Sequence, residues 1–513
     1  MSPADIILFA VNARYAHSSF GARCLLANLG PRRPRAKLLE YDLRKTPEEI
    51  AEDILAASPR IAAAGVYIWN HATVQRTMEI IRERNPEIII VVGGPELIAA
   101  KECPAWADYL ITGEADLEFA RLCGTLLKDP CGLVPQVNEV TSIRGPQQDL
   151  LHPRRKVAGV EDPRIIRAEP PDTANLASPY EEYTDDDIRN RIIYVEASRG
   201  CPYRCEYCIS SLDNRMRNFP QAEFFREMEH LLARGARQFK FADRAFNADI
   251  RSACEILDFF QTKNTPSLRL HFEMMPDRFP DELKKRILSF PAGALHLEIG
   301  IQTFNEDAAA RIMRKTDFAK AEENLKWLRE ETKAEIHADL IAGLPGETFE
   351  SIAAGFDRLV NLWPHELQFG ILKKLPGAPI ARHDAEWKMI YNDEPPYDIL
   401  ENNCLSRNQV QSLKQFARFW DLFYNRGNFP RFMRMLLDGT ESPFAVFAKF
   451  SDWLAARFGR AFGIPQLDLY AAALEYLKEK PGIGSALLED FSAGGRRGHI
   501  PRFLKEAVSK HRE

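Results

Sequence analysis

The sequence predicts an α/β protein in three parts: a doubly wound parallel-sheet domain, a partial barrel of βα units, and a helical C-terminal domain. Three observations carry that prediction. Up to about residue 125, short apolar runs alternate with amphipathic helical patterns. From residue 189 to about 385 the alternation resumes, with six strand candidates. From about Asn402 onward the pattern is helical, with stripes rich in Phe and Trp.

In the first part the strand candidates are Asp5–Ala10, Lys37–Tyr41, Ile61–Tyr67 and Glu87–Val92. Thr46-Pro-Glu-Glu opens an intervening helix with an N-cap residue, proline at the first helical position and early acids. Ile50, Ile54 and Leu55 form its apolar stripe. Alternation of this kind implies a parallel sheet covered on both faces. The expectation is a Rossmann-like domain over 1–132, with ligands beyond the C-terminal strand ends. Residues 133–188 change character: Pro135, Pro146, Pro153, Pro163, Pro170, Pro171 and Pro179 recur among charges. That reads as an extended connector, in which Leu150, Leu151, Val157, Ile165 and Ile166 are available to add strands or to dock.

The second alternation, 189–385, offers strands at Ile192–Ala197, Gln238–Ala242, Leu268–Met274, Ala294–Ile301, Glu335–Ala342 and Glu366–Leu372. Pro220–Arg234 is a helix with Phe224, Met228, Leu231 and Leu232 on one face, stopped by Gly235. Six βα units make a curved parallel sheet, an incomplete relative of the eight-unit barrel, with chemistry expected at the C-terminal strand ends. Residues 386–513 complete the chain as a helical domain, striped by Phe416, Phe419, Trp420, Phe423 and Tyr424.

Composition narrows the function classes. The chain has 513 residues, a net charge of −5 and 45% hydrophobic residues, within the soluble globular range. No apolar stretch approaches a membrane span and the N-terminus lacks a basic signal-peptide region, so a cytoplasmic protein is expected. The acidic balance gives no general attraction to nucleic acid. A basic run from Arg496 to Arg512 is the exception, and such runs are mostly solvated helix faces. Nine cysteines, six of them scattered, do not make a secreted disulfide framework. Free thiols in a reducing compartment are the simplest account.

The remaining three cysteines are clustered: Cys201-Pro-Tyr-Arg-Cys205-Glu-Tyr-Cys208, directly after the first strand of the second alternation. Three thiols within eight residues can close around one metal centre, and thiolates are the usual ligands of iron–sulfur clusters. Three protein ligands leave one iron free. A structural zinc site normally takes four; the nearest other thiol is Cys254 and no histidine follows at finger spacing.

The spacing C-x3-C-x2-C, with the aromatic Tyr207 before the last cysteine, resembles the signature of the radical S-adenosylmethionine (SAM) superfamily. The resemblance implies that Cys201, Cys205 and Cys208 hold a 4Fe–4S cluster whose fourth iron is chelated by SAM. Leu297-Glu-Ile-Gly-Ile-Gln-Thr303 resembles the family's fourth-strand segment, making Glu298 and Gln302 candidate SAM contacts. Ile341-Ala-Gly-Leu-Pro-Gly-Glu347 resembles the fifth-strand glycine segment that packs on adenine, with Gly343 at its turn. Asp243 stands at the second-strand position, and Glu273 and Arg278 lie near the third strand's end. For each lone residue an ordinary barrel-lining ion pair is the competing reading. Arg199 is a candidate for stabilising cluster or SAM charge, against a plain surface arginine.

The N-terminal domain resembles the cobalamin-binding domain fused to many radical SAM enzymes, on Val91-Val-Gly-Gly-Pro95 and Ile111-Thr-Gly-Glu114. Gly93, Gly94, Gly113 and Glu114 become candidate cobalamin contacts, and Trp69 and Asn70 are expected to face the lower side of the corrin. The D-x-H-x-x-G motif of cobalamin mutases is missing, as in many radical SAM relatives; His17 and His71 read as loop histidines. A vestigial domain that binds no cobalamin is the competing reading. The combined layout resembles a cobalamin-domain subgroup with a C-terminal helical domain of unassigned role.

Such a family member is expected to reduce its cluster with a flavodoxin- or ferredoxin-type donor and cleave SAM to methionine and a 5′-deoxyadenosyl radical. That radical would take hydrogen from a small-molecule carbon, which then captures methyl from methylcobalamin; the cofactors carry the bond-breaking. Two rival outcomes stand beside this methyltransferase: a radical SAM enzyme of cyclisation, rearrangement or other SAM-fragment transfer, and a noncatalytic cobalamin or redox sensor. A tRNA methylthiotransferase fits less well, because Cys24, Cys103 and Cys123 do not form its N-terminal cluster motif and the region after 402 is helical.

Overall fold

The computed structural model describes residues 4–128, 162–263, 265–494 and 500–509. The chain divides into two compact units. One comprises Met1–Cys201, Leu212–Asp243 and Leu375–Ala378; the other comprises Pro202–Ser211, Arg244–Lys374 and Pro379–Glu513.

The first unit is built on a six-stranded sheet: β1 Ile6–Asn12, β2 Ala36–Asp42, β3 Ile61–Gly65, β4 Ile89–Gly93, β5 Tyr109–Gly113 and β6 Ile165–Ala168, in the order β2-β1-β3-β4-β5-β6. Every pairing is parallel. All seven residues of β1 are buried, as expected of a strand covered on both faces. One layer packs Ile50 and Ile54 of helix Pro47–Ala56 and Val74 and Met78 of helix His71–Arg84 against Ile7, Phe9, Ile90 and Val92. The opposite layer packs Leu26, Phe119, Leu122 and Leu126 against Ile6, Leu8, Ile61 and Val91. The Thr46 capping box forms, with Glu49 returning the bond.

In this sheet β5 was not assigned as a strand from sequence, and β6 takes up the connector residues expected to add a strand or dock. The latter uses Ile165 and Ile166 of the connector to complete the sheet edge. A second capped helix, Asp185–Asn190, follows. Its Asp187 joins the buried Arg23 (2.9 Å), which also pairs with Glu40 (2.6 Å), so this end of the connector is clamped to the sheet. Leu150, Leu151 and Val157 lie outside the described residues. The unit continues with β7 Ile193–Val195, the short antiparallel ribbon of β8 Ser198–Arg199 with β9 Arg217–Asn218, helix Gln221–Ala233 and β10 Gln238–Phe241, parallel to β7. Phe224, Met228 and Leu231 of that helix are buried.

The second unit carries β11 Arg269–Met274, β12 Leu295–Gln302, β13 Glu335–Ala342 and β14 Glu366–Ile371 as a parallel ladder, each followed by helix or turn. β12 and β13 alternate strictly between buried and half-buried residues, so one ladder face is apolar and the other polar. The hairpin β15 Ile390–Tyr391 with β16 Ile399–Glu401 follows. Helices Arg407–Trp420, Pro430–Leu437, Pro443–Phe458, Gln466–Tyr476, Ile483–Ala493 and Arg502–Ser509 complete the unit. Phe356 and Phe369 of the last βα unit join Phe416, Trp420 and Phe444 in one aromatic core, with ring centroids 4.7 to 5.7 Å from Phe356. Parts of the basic C-terminal run fall outside the described residues. Among the described residues no helix is long and apolar enough to cross a membrane.

Candidate active site

The cysteine loop begins at Gly200, whose φ of +83° is left-handed and whose Cβ would stand 2.1 Å from the Arg215 carbonyl oxygen. Only glycine turns the chain here without collision. The Cys201 amide donates to the Asp213 carbonyl at 3.0 Å. Further along, the Cys208 amide donates to the Cys205 carbonyl (3.1 Å), and the Ser211 hydroxyl donates to that of Cys208 (2.7 Å). Cys201 and Cys205 are buried, Cys208 is half-buried, and none of the three is in a disulfide among the described residues. Among the described residues no three His, Cys, Asp or Glu side chains gather in a metal-ligating arrangement. The loop therefore supplies a donor set rather than a formed coordination shell.

That donor set suits an iron–sulfur group, because a buried cation is trained on it. Arg314 Nη1 lies 3.5 Å from Cys205 Sγ and donates to the Tyr207 hydroxyl at 3.2 Å, while Nη2 donates to the Gly300 carbonyl. Its Nε is buried with no hydrogen-bond partner among the described residues. Burial opposes its charge, and Tyr207 and Cys205 beside it keep its pKa raised. Burial drives the Tyr207 hydroxyl well above its ordinary range. An anionic group on the loop offsets the cost of burying this guanidinium. No sequence motif marked Arg314; it follows a helix end, at Met313 with φ +57°.

Glu206, between two of the cysteines, is also fixed. Its carboxylate meets His383 Nε2 at 2.8 Å and Arg382 at 2.8 Å, its amide donates to the Ile312 carbonyl, and its carbonyl accepts from Ile380. Arg278 donates to the Tyr203 hydroxyl at 3.3 Å. Both contacts anchor the loop within the second unit.

The polar face of the ladder carries several of the sequence candidates together. Glu298 pairs with His271 at 2.8 Å, and His271 stacks on His296 at 4.4 Å. His337 and Asp339 stand 2.9 Å apart one strand over. Glu273 lies 3.6 Å from Arg244. At the end of β12 the register with β13 slips between Gly300 and Gln302. Gln302 there takes φ +72°, a bulge of the kind that re-aims a side chain. Gly343 has φ +99°, and its Cβ would meet Ile399 Cγ2 at 2.7 Å. Its glycine is thus required by the hairpin packed on it. Glu347 is buried; Thr303 Oγ1 donates to its Oε1 at 2.5 Å, and burial lifts its pKa to about 7.

In the first unit Asp243 is buried, accepting from the Ala197 amide (3.0 Å) and the Ser198 hydroxyl (2.6 Å), with its pKa lifted to about 6 by burial. Those bonds brace the chain just before the cysteine loop. The sheet order reverses between β1 and β3, the switch point where ligands meet such sheets. Trp69 and Asn70 stand there. Trp69 is 45% exposed, stacks on Tyr67 at 4.6 Å and donates to the Val11 carbonyl. Asn70 is buried; its amide donates to Val11 and Gly65 carbonyls and its oxygen accepts from Tyr67. It straps the two switch-point loops together. A Cβ on Gly93 would stand 2.7 Å from the Ile111 oxygen, and one on Gly94 (φ +101°) 2.6 Å from the Val66 oxygen. One on Gly113 would stand 2.5 Å from the Ala168 oxygen. These glycines already answer to backbone packing within the sheet. Glu114 pairs with Arg199 and Arg217. His17 bonds the Tyr194 hydroxyl at 2.7 Å, and His71 lies 3.3 Å from Glu96. The sequence marked neither Arg217 nor Arg314, because Glu114 and Cys205, which they reach, lie about a hundred residues away.

Three family models match in succession: the B12 binding domain over residues 6–123, the radical SAM superfamily over 195–359, and a protein family of unknown function, DUF4080, over 385–513. The 2-(S-pantetheinyl)-carbapenam-3-carboxylate methyltransferase of Streptantibioticus cattleyicolor is 24% identical, across 76% of this chain and 60% of its own length. The cobalamin-dependent radical SAM methyltransferase TokK of Streptomyces tokunonensis is 25% identical, across 65% of this chain and 49% of its own. The chain thus spans about half to three fifths of these relatives. Among solved structures, the cobalamin-dependent SAM radical enzyme OxsB with aqua-cobalamin bound is similar in fold (TM-score 0.60, 14% identity), over 99% of this chain and 84% of that one.

Proposed function

The chain belongs to the radical SAM superfamily, with a B12-binding domain before the core and a DUF4080 region after it, and from that premise we propose a cobalamin-dependent radical SAM methyltransferase acting on an unactivated carbon of a small molecule. When bound, the 4Fe–4S cluster with SAM supplies the 5′-deoxyadenosyl radical and cobalamin supplies the methyl group. In this reading Cys201, Cys205 and Cys208 hold the cluster. Tyr207, Asp243, Glu273, Glu298, Gln302 and Gly343 shape the SAM site. Trp69, Asn70, Gly93, Gly94, Gly113 and Glu114 shape the floor of the B12-binding domain. The domain limits are 1–132, 133–188, 189–385 and 386–513. The electron donor is a flavodoxin or ferredoxin, and the compartment is the cytoplasm.

The observation that carries the reading is Arg314. A buried guanidinium 3.5 Å from Cys205 Sγ, on a C-x3-C-x2-C loop with no disulfide among the described residues, is a charge suited to an anionic partner. The names of TokK and the carbapenam methyltransferase support methyl transfer. The chain's own residues do the positioning: Glu206 and Gly200 fix the loop, and the polar face of β11–β13 offers imidazole and carboxylate groups to polar ligands.

Anaerobic reconstitution with iron, sulfide and hydroxocobalamin tests the reading. It predicts a bound-corrin spectrum after desalting, and methylated product once substrate is supplied; no retained corrin would sink methyl transfer. A second reading, radical chemistry of another outcome with cobalamin auxiliary or absent, is favoured by one observation. Gly93, Gly94, Gly113, Asn70 and Glu114 all have partners or packing inside the protein.

A further inference from the structure

The cysteine loop leaves and rejoins the fold through the β8–β9 ribbon, in which Arg199 stands opposite Arg217. Both guanidinium groups reach one carboxylate, that of Glu114, the residue after the last of β5. Arg199 Nη1 lies 3.1 Å from Glu114 Oε2, and Arg217 Nη1 lies 3.2 Å from the same oxygen. Arg199 also forks onto Asp116 at 2.9 and 3.1 Å and onto Glu196 at 2.7 Å. Arg217 holds Asp213 Oδ2 at 2.6 Å, and the Asp213 carbonyl accepts the Cys201 amide at 3.0 Å. The path from the end of β5 to the first cysteine is therefore a continuous set of hydrogen bonds.

These groups are largely shielded: the side chains of Arg199, Arg217 and Glu114 are 13, 17 and 24% exposed. Charge-assisted, forked contacts of this kind are strong and geometrically specific. Removing the Glu114 carboxylate leaves Arg199 on Asp116 and Glu196 and Arg217 on Asp213, so the Arg217 side of the ribbon loses its tie to the end of β5. None of the three needs to touch a cofactor for this effect.

We propose that Glu114, Arg199 and Arg217 are positioning residues that lock the stem of the cysteine loop to the end of β5 in the N-terminal domain, and thereby set how firmly a cluster is held. The second half of the proposal rests on the cluster-binding reading of the loop; the first half does not. Glu114→Gln keeps the shape and removes the charge, and Arg217→Lys keeps the charge and removes the fork.

The test uses the full chain in two arms. Hydrogen exchange read by mass spectrometry on the as-purified protein should be about tenfold faster across 198–218 in Glu114→Gln, and less accelerated in Arg217→Lys, with the helices after 402 unchanged. After anaerobic reconstitution, iron release to a ferrous chelator should be several-fold faster in Glu114→Gln, with Arg217→Lys between it and wild type. Exchange at the wild-type rate in both variants overturns the lock. Faster exchange with unchanged iron release overturns its link to the cluster. A wild-type chain that takes up no iron overturns the cluster reading and that link with it, while the exchange arm still decides the lock.

Discussion

Replacing Glu347 by Gln isolates one buried carboxyl and gives a pH-dependent stability difference whose sign and size are fixed by its surroundings. Glu347 Oε1 receives the Thr303 hydroxyl, and Oε2 is buried with no hydrogen-bond partner among the described residues. Burial lifts the pKa from 4.5 to about 7. The folded state therefore binds this proton more tightly than the unfolded state, so wild-type stability falls as pH rises from 4.5 through 7 and the penalty is complete above that. At about 1.4 kcal/mol per pKa unit, the penalty at pH 8 is about 3 kcal/mol. Gln carries no charge at either pH. The stability of Glu347→Gln minus wild type should thus increase by about 3 kcal/mol between pH 4.5 and pH 8. Urea denaturation at both pH values, followed by fluorescence of Trp327, Trp363, Trp387, Trp420 and Trp453 in the same unit, reads it. A difference that stays flat with pH would refute the reasoning, because it would mean that Glu347 titrates alike in the folded and unfolded states.

Further outcomes follow from packing. Asn70→Ala removes the three hydrogen bonds that strap the switch-point loops and should destabilise the first unit by about 2–4 kcal/mol, read as a lower urea midpoint in that unit. Phe356→Ala opens a cavity among Phe369, Phe416, Trp420 and Phe444 and should cost about 3–5 kcal/mol in the second unit by the same assay. Gly343→Ala combines a left-handed φ with a 2.7 Å contact on Ile399. It should cost about 1–3 kcal/mol and speed hydrogen exchange in the β15–β16 hairpin.

β1 and β4 were legible because a parallel strand covered on both faces reads as an unbroken apolar run, and β13 because its apolar and polar residues alternate; all three match their sequence ranges within a few residues. In the proline-rich connector Ile165 and Ile166 hinted at an added strand, and it took the β5 edge they pair with to make it one. The β15–β16 hairpin is shorter still. The cysteine loop was legible because all three thiols sit within eight residues. Arg314 was not, since its partners Cys205 and Tyr207 lie more than a hundred residues away and nothing local marks it. The same distance hid the hold of Arg199 and Arg217 on Glu114, which turned one candidate cofactor contact into part of an ion-pair network.

The central claim is that Cys201, Cys205 and Cys208 together hold a cluster that cleaves SAM. The direct measurement is 5′-deoxyadenosine formed from SAM under dithionite, alongside the 4Fe–4S absorbance, for the wild type and for each Cys→Ala variant. The account predicts 5′-deoxyadenosine and the cluster band in the wild type and loss of both in every variant. A wild type that forms no 5′-deoxyadenosine, or one variant that keeps full activity, would contradict it.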